Sequence, residues 1–270
     1  MEALQIVKLS PTENMTVLVE TPVARALHAG VAEKLMRYDS ACCEQVGFVE
    51  KPANSAARAR LQMMGGEFCG NAAMSLAALL AWREGIATGE ERSLLLEVSG
   101  AEGLVACRVR AQENGFEGTV EMPLPLAVEE VCLPFEQERF ALTAVRFEGI
   151  VHLLLPRPQG LSRERAQRML RAFAGAFPQE AVGLLLLEEG SNAMEPLVYV
   201  KPTDSLVWER GCASGSAAVG AARAARGARE VCMRQPGGEI TVRMQAAQGR
   251  LTKLSITGLV RIVFCGQAYV

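Results

Sequence analysis

Long apolar runs are missing from this chain of 270 residues. The run Val182 to Leu187 falls far short of the roughly 18 residues that span a bilayer, so no membrane partner is expected. The start, Met1-Glu2-Ala3-Leu4-Gln5, is acidic and then alternates, which is not the form of a signal peptide. A strong charge of either sign is also absent. The net charge of −2 gives no reason to expect nucleic acid or an anionic surface as partner. Eight cysteines (42, 43, 69, 107, 132, 212, 232 and 265) include no Cys-x-x-Cys pair and are few for a disulfide scaffold of this length. No metal site is therefore expected. Histidine is scarce, with only His28 and His152, and no Gly-x-Ser-x-Gly elbow occurs. A Ser-His-Asp or Cys-His hydrolase has little to build on. The five lysines lie in no distinctive setting, so a Schiff-base cofactor finds no support. Gly65-Gly66 and Gly237-Gly238 lack the Lys-Ser/Thr that follows a phosphate loop. What remains is the composition of a globular protein, 50% apolar and 21% charged. A cytoplasmic protein with reduced thiols and one large or two ordinary domains is expected.

Two cysteine segments stand out against this background. Glu67-Phe68-Cys69-Gly70-Asn71-Ala72 and Glu209-Arg210-Gly211-Cys212-Ala213-Ser214-Gly215 each lead into a helix-like run of small residues. From Ala72 to Trp82 only Ser75 is polar, and Ala217 to Ala225 is Ala, Gly and Val apart from Arg223. A helix apolar on every side is buried on every side. A thiol at a helix start meets unpaired N–H groups and the positive end of the dipole, so its pKa is expected to fall toward neutrality.

Several patterns recur in the same order in the two halves. The strand-like Met15–Val19 is matched by Ile150–Leu155, and the helical Ala24–Arg37 by Arg163–Ala174. Gln45–Glu50 is matched by Ala181–Leu186, and the cysteine segments follow in each half. Leu96–Cys107 and Val231–Val242 then read as strand, turn, strand, with Pro236-Gly237 suited to a type II turn. The expected fold is α+β, with two pseudo-symmetric domains, each a curved, mostly antiparallel sheet wrapped around a central α-helix. The domains are expected at 1–128, carrying Cys69, and 129–270, carrying Cys212, with the last strand free to return to the N-terminal half. Prolines 123, 125 and 134 interrupt regular structure at the join, and strands are expected to restart near Phe140.

Two helix-start thiols in mirrored halves suit inversion of an amino-acid α-carbon. One sulfur takes the proton from one face and the other returns a proton to the opposite face. Without pyridoxal phosphate the carbanion needs hydrogen bonds to its carboxylate and exclusion of water. Backbone N–H groups of Gly70, Asn71, Ala213 and Ser214 are candidates for that cradle.

Phe68-Cys69-Gly70-Asn71-Ala72 and Cys212-Ala213-Ser214-Gly215 resemble the two catalytic cysteine motifs of the diaminopimelate epimerase fold, a cofactor-independent two-base racemase group. Five blocks, one of them containing the first cysteine motif, resemble the histidine racemases of staphylopine-type metallophore biosynthesis. These are Asn14-Met15-Thr16, Cys42–Phe48, Glu67–Ala72, Ser205–Glu209 and Gln235–Gly238, spread from the N-terminus to residue 238, so the resemblance spans essentially the whole chain. The resemblance implies Cys69 and Cys212 as acid and base, no cofactor, a homodimer, and substrate contacts from Asn14 and Gln45. Glu209-Arg210-Gly211 runs directly into Cys212, without the longer segment of diaminopimelate epimerases. Relative to the histidine racemases, Arg210-Gly211 replaces a neutral polar pair and Glu13 replaces a glycine.

Glu209 is read as a carboxylate for the substrate ammonium group, because an acid beside a thiolate raises the thiol pKa and needs a compensating role. His152 lies in an apolar strand and is read either as a substrate contact, at a position that the family resemblance places near the substrate, or as a core histidine. His28 is expected at the surface, Cys42-Cys43 in packing, and Cys107, Cys132, Cys232 and Cys265 buried in strands. Trp208 is read as either a pocket wall or core. The expected activity is histidine racemisation for an opine metallophore. Diaminopimelate epimerisation, racemisation of another amino acid, and a catalytically silent amino-acid-binding protein are the alternatives.

Overall fold

The computed structural model describes residues 2–270 and is mixed α+β, rich in sheet. The chain forms two compact units, one from the N-terminus to Met122 with Ile256–Val270, the other Pro123–Ser255. No helix among the described residues is long and apolar enough to cross a membrane.

The first unit begins with β1 (Ala3–Pro11), β2 (Thr16–Val19), α1 (His28–Met36), β3 (Gln45–Glu50) and β4 (Ala59–Met63). It continues through α2 (Gly70–Arg83), β5 (Glu91–Val98), β6 (Leu104–Gln112) and β7 (Gly115–Glu121). These strands are neighbours in chain order, and the 256–270 part of β16 (Arg250–Tyr269) lies beside β7 and pairs with β1, from Ala3↔Tyr269 to Pro11↔Val260. Among the described residues eight strands, β1 to β7 and β16, thus close into a barrel without a free edge. Most pairs are antiparallel, but β2–β3 and β4–β5 are parallel because a helix crosses between them. α2 is the second of these crossovers and touches every strand from β1 to β7. Its residues from Gly70 to Leu79 are all buried, as a helix apolar on every face requires. Small side chains bring the wall close: a β-carbon on Gly118 of β7 would meet Met74 Cβ at 3.3 Å.

The second unit holds β8 (Ala127–Phe135), β9 (Glu138–Arg146), β10 (Ile150–Pro156), α3 (Arg163–Ala174), β11 (Ala181–Leu187), β12 (Met194–Val200) and β13 (Ser205–Trp208). After them come α4 (Ala213–Ala224), β14 (Glu230–Gln235) and β15 (Gly238–Ala247). The sheet order is β13-β12-β11-β10-β9-β8, with β10–β11 parallel across α3. Val151, Leu153 and Leu155 of β10 and Val182, Leu184 and Leu186 of β11 pack with Met169, Leu170 and Phe173 of α3. By alternation, His152, Leu154, Gly183 and Leu185 lie on the other face, which α4 covers. Burial on both faces is why these two strands read as unbroken apolar runs.

The structure departs from sequence expectation at several places. A regular strand already runs through 127–135, and Pro134 lies inside it. β8 is an edge strand, where a missing N–H costs no ladder bond. The turn after β14 has its left-handed glycine at Gly238 (φ 136°) and not at Gly237, so it is not type II at Pro236-Gly237. Gly237 N–H and the Arg210 guanidinium instead tie this turn to the loop before α4, through Arg210 O at 2.7 Å and Pro236 O at 3.2 Å. His28 is buried, not exposed. Its ring stacks on Phe48 with centroids 3.5 Å apart, and Nε2 lies 3.0 Å from Val23 O. Of the cysteines read as packing, Cys42, Cys132 and Cys265 are exposed and Cys232 is half-buried. Cys43 and Cys107 are buried, and burial pushes both thiols up to about 12.

Candidate active site

In the first unit, Cys69 is the N-cap of α2. Its backbone is extended (φ −130°, ψ 110°), and its sulfur accepts the Ala72 N–H at 3.4 Å, the place an N-cap oxygen ordinarily takes. The half-buried thiol donates to Gln45 Oε1 at 2.7 Å. Gln45 opens β3, where it pairs with Thr16 and its N–H reaches Met15 O. Asn14 is therefore two residues from the partner of Gln45. It is fully buried, and neither its Oδ1 nor its Nδ2 has a hydrogen-bond partner among the described residues. Buried polar atoms are normally satisfied, so this amide is a candidate for holding a ligand. The Thr12-Glu13 turn before it has both residues left-handed (φ 49° and 58°), with Asn14 N–H bonded to Pro11 O at 2.9 Å. This is the pattern of a tight hairpin turn, in which a glycine at position 13 would be unstrained.

The loop before Cys69 is held by the β5–β6 turn. Ser99 Oγ donates to Glu67 O at 2.8 Å and accepts the Met63 N–H at 2.9 Å. Gly100 (φ 70°) lies so close to the Glu67–Phe68 peptide that a β-carbon would stand 2.8 Å from the Glu67 carbonyl carbon. Gly70 is similarly confined, with Met122 Sδ and Ile256 Cδ1 at 2.9 and 3.0 Å from where its β-carbon would sit. Asn71 is buried in the first turn of α2.

In the second unit, Cys212 is the N-cap of α4 (φ −107°, ψ 105°), and its sulfur accepts the Gly215 N–H at 3.2 Å. Gly215 has no room for a side chain, since a β-carbon would lie 2.9 Å from Leu185 Cδ2 and 3.0 Å from the Cys212 sulfur. Gln235, at the end of β14, accepts the Cys212 N–H at 2.7 Å and donates to Ser216 Oγ at 2.9 Å. Ser216 in turn donates to Cys212 O at 2.8 Å. Ser214 Oγ lies 3.7 Å from the Cys212 sulfur and 2.9 Å from His152 Nε2. Ala213 is buried at the first position of α4.

The electrostatics of Cys212 run against the sequence expectation. Burial raises its thiol well above the ordinary value, and the charge and hydrogen bond of Glu209 raise it further. The Ser214 hydroxyl and Gly215 N–H pull the other way and are outweighed. The thiol of a residue 3% exposed loses more by desolvation than a helix start returns. Glu209 thus acts on the thiol itself. His152 is fully enclosed, and desolvation lowers its pKa to about 3, so the ring is neutral at physiological pH. Trp208 is half-buried against the α3 side of the core, with the Arg163 guanidinium 4.9 Å over its ring.

Sequence reasoning missed Gln235, Ser216, Ser99 and Gly100 as supports of the two thiols. Only Gln235 carried a signal, as the residue opening the Gln235-Pro236-Gly237-Gly238 block. Gly100 acts by what it leaves empty, which spacing along the chain does not reveal.

Comparison with known proteins agrees with this architecture. A curated histidine racemase of Staphylococcus aureus is 29% identical over 100% of this chain and 98% of its own length. A histidine racemase of Fusobacterium nucleatum subsp. nucleatum is 30% identical over 81% of both chains. Among solved structures, a hydroxyproline epimerase from Agrobacterium vitis with bound trans-4-OH-L-proline shares the fold. Its TM-score is 0.75 at 17% identity, with 98% of this chain and 92% of that chain covered. The family model for the histidine racemase CntK N-terminal domain matches residues 3–269, and this chain belongs to that family.

Proposed function

We propose that the chain is a cofactor-independent amino-acid racemase that inverts the α-carbon of histidine with two cysteines. The observation that carries the reading is the repeated N-cap. Cys69 and Cys212 each begin a buried helix, and each sulfur receives the N–H three residues on. Family membership supports the reaction class and the substrate. In this reading the fold is the diaminopimelate epimerase-like pair of pseudo-symmetric halves, with Cys69 serving one half and Cys212 the other. During turnover one sulfur, as thiolate, removes the α-proton while the other, as thiol, supplies a proton to the opposite face. The roles exchange for the other enantiomer. Cys212 rests as the thiol, held so by burial and Glu209. The proton of Cys69 is directed at Gln45 Oε1.

Backbone N–H groups of Gly70, Asn71, Ala213 and Ser214 hold the carboxylate, where negative charge grows as the proton leaves. The unsatisfied Asn14 amide binds the substrate, and Gln45 and Glu209 complete the polar surround. We place the enzyme in the cytoplasm as a homodimer feeding an opine-type metallophore, on the strength of the sequence resemblance. Solvent deuterium incorporation at the α-carbon of L-histidine, with chiral analysis of the product, tests the reading. LL-diaminopimelate and a panel of other amino acids run in parallel. Exchange and inversion of histidine are expected; neither process on any amino acid would end the racemase reading.

A further inference from the structure

The alternation of β10 puts His152 on the face covered by α4, where its ring meets Ser214, its one hydrogen-bond partner among the described residues. Nε2 lies 2.9 Å from Ser214 Oγ, and Nδ1 has no partner among the described residues. Nδ1 faces Gly183, the residue paired with His152 across β10–β11, and the ring fills the space of a side chain there. The Phe147 ring closes another side, with centroids 6.4 Å apart. A neutral imidazole carries one N–H. An enclosed N–H with no acceptor costs more than an enclosed lone pair with no donor, so the hydrogen belongs on Nε2. The Ser214 oxygen then accepts from His152, and its own hydrogen is free to turn to the Cys212 sulfur at 3.7 Å.

We propose that His152 is a positioning residue, whose Nε2–H fixes the Ser214 hydroxyl so that its O–H points at the Cys212 sulfur. This inference rests on the reading of Cys212 as a proton-exchanging thiol and says how its thiolate is tolerated. The Cys212 sulfur faces Glu209 from the segment after β13, and Ser214 and Gly215 from α4, while Gln235 of β14 holds its backbone. Glu209 opposes the anion, and the Ser214 hydroxyl and Gly215 N–H support it. A hydroxyl held from behind by a donor has one orientation left and stabilises the sulfur anion with no loss of rotational freedom on each turnover. His152 acts through Ser214 as a neutral donor, not as an acid or base.

Two measurements test this. In 15N-histidine-labelled full-length protein, NMR need resolve only His28 and His152. The His152 ring is expected to stay neutral with its hydrogen on Nε2 from pH 5 to 9. An imidazolium in that range, or a hydrogen on Nδ1, overturns the proposal. The second measurement is site-resolved iodoacetamide alkylation of Cys212 against pH. Ser214→Ala and His152→Leu are each expected to slow it about tenfold at a given pH, the size of one charge-assisted hydrogen bond. His152→Gln, whose amide nitrogen takes the place of Nε2, is expected to restore it. An unmoved Cys212 profile in Ser214→Ala, or a Gln variant as slow as the Leu variant, overturns the proposal. An unchanged melting transition of each variant reports an intact second unit, which the alkylation of Cys69, in the first unit, does not sense. Neither readout needs turnover, so a failure of the racemase reading shows separately, in the deuterium-exchange assay.

Discussion

The ring of His152 occupies the volume that a side chain on Gly183 would need; a β-carbon there would lie 2.8 Å from Cε1. The two residues are direct partners in the parallel β10–β11 pair, so neither backbone can retreat without breaking the ladder. Gly183→Ala is expected to push the ring off Ser214, to destabilise the second unit by about 1–3 kcal/mol, and to cut racemisation. Thermal melting and the exchange assay check it; a variant with wild-type melting and turnover contradicts the packing.

Acid stability follows from the same ring. The pKa of His152 falls from 6.5 to about 3 on folding through desolvation. Between those values the unfolded chain binds a proton that the folded one excludes, so stability rises with pH there. The contribution of the neutral ring is present above pH 6.5 and is lost progressively as pH falls toward 3. Denaturant titrations at pH 7 and pH 5 should show the wild type losing more stability than His152→Gln. Equal losses would mean the ring is not enclosed in solution.

Cys69→Ser and Cys212→Ser are each expected to lower racemisation by at least about 10³-fold, because a serine hydroxyl is a far weaker acid than a thiol near neutral pH. Chiral chromatography in both directions is the measurement. Near-normal inversion by either variant removes the two-base mechanism.

Glu209→Gln separates charge from hydrogen bonding at Cys212. The carboxylate raises the thiol by charge and by hydrogen bond, so its neutral isostere should make Cys212 alkylate faster at a given pH. The sign is opposite to that expected for Ser214→Ala. Slower alkylation of Cys212 in the Gln variant would show that Glu209 acts otherwise.

Gly100→Ala probes the support of Cys69. Its left-handed φ of 70° and its closeness to the Glu67–Phe68 peptide leave two penalties for a methyl group, strain and collision with backbone. A loss of about 2 kcal/mol or more is expected, with slower turnover, because the displaced loop carries the N-cap thiol. Melting and kcat together check it.

The helices and the cysteine caps were readable because their causes are local. Runs of small apolar residues after Cys69 and Cys212 demand burial on every side, and Ser162 before Arg163–Ala174 supplies an N-cap oxygen for α3. What could not be read depends on distant partners. Pro134 looked like a strand breaker because nothing in its neighbourhood says that β8 is an edge. His28 looked exposed because its burial comes from stacking on Phe48, twenty residues along the chain. The acidity of Cys212 departs from expectation for a related reason: helix-start N–H groups are visible in sequence, whereas the depth of burial that overrides them is not.

The pairing of β1 with β16 has a consequence for synthesis on the ribosome. Ala3 waits for Tyr269. Until residues 256–270 emerge, the first unit lacks one stave, and the greasy rod of α2 must be sheltered by an incomplete wall. The intervening unit, by contrast, has all its strands to hand by residue 255 and is free to finish first.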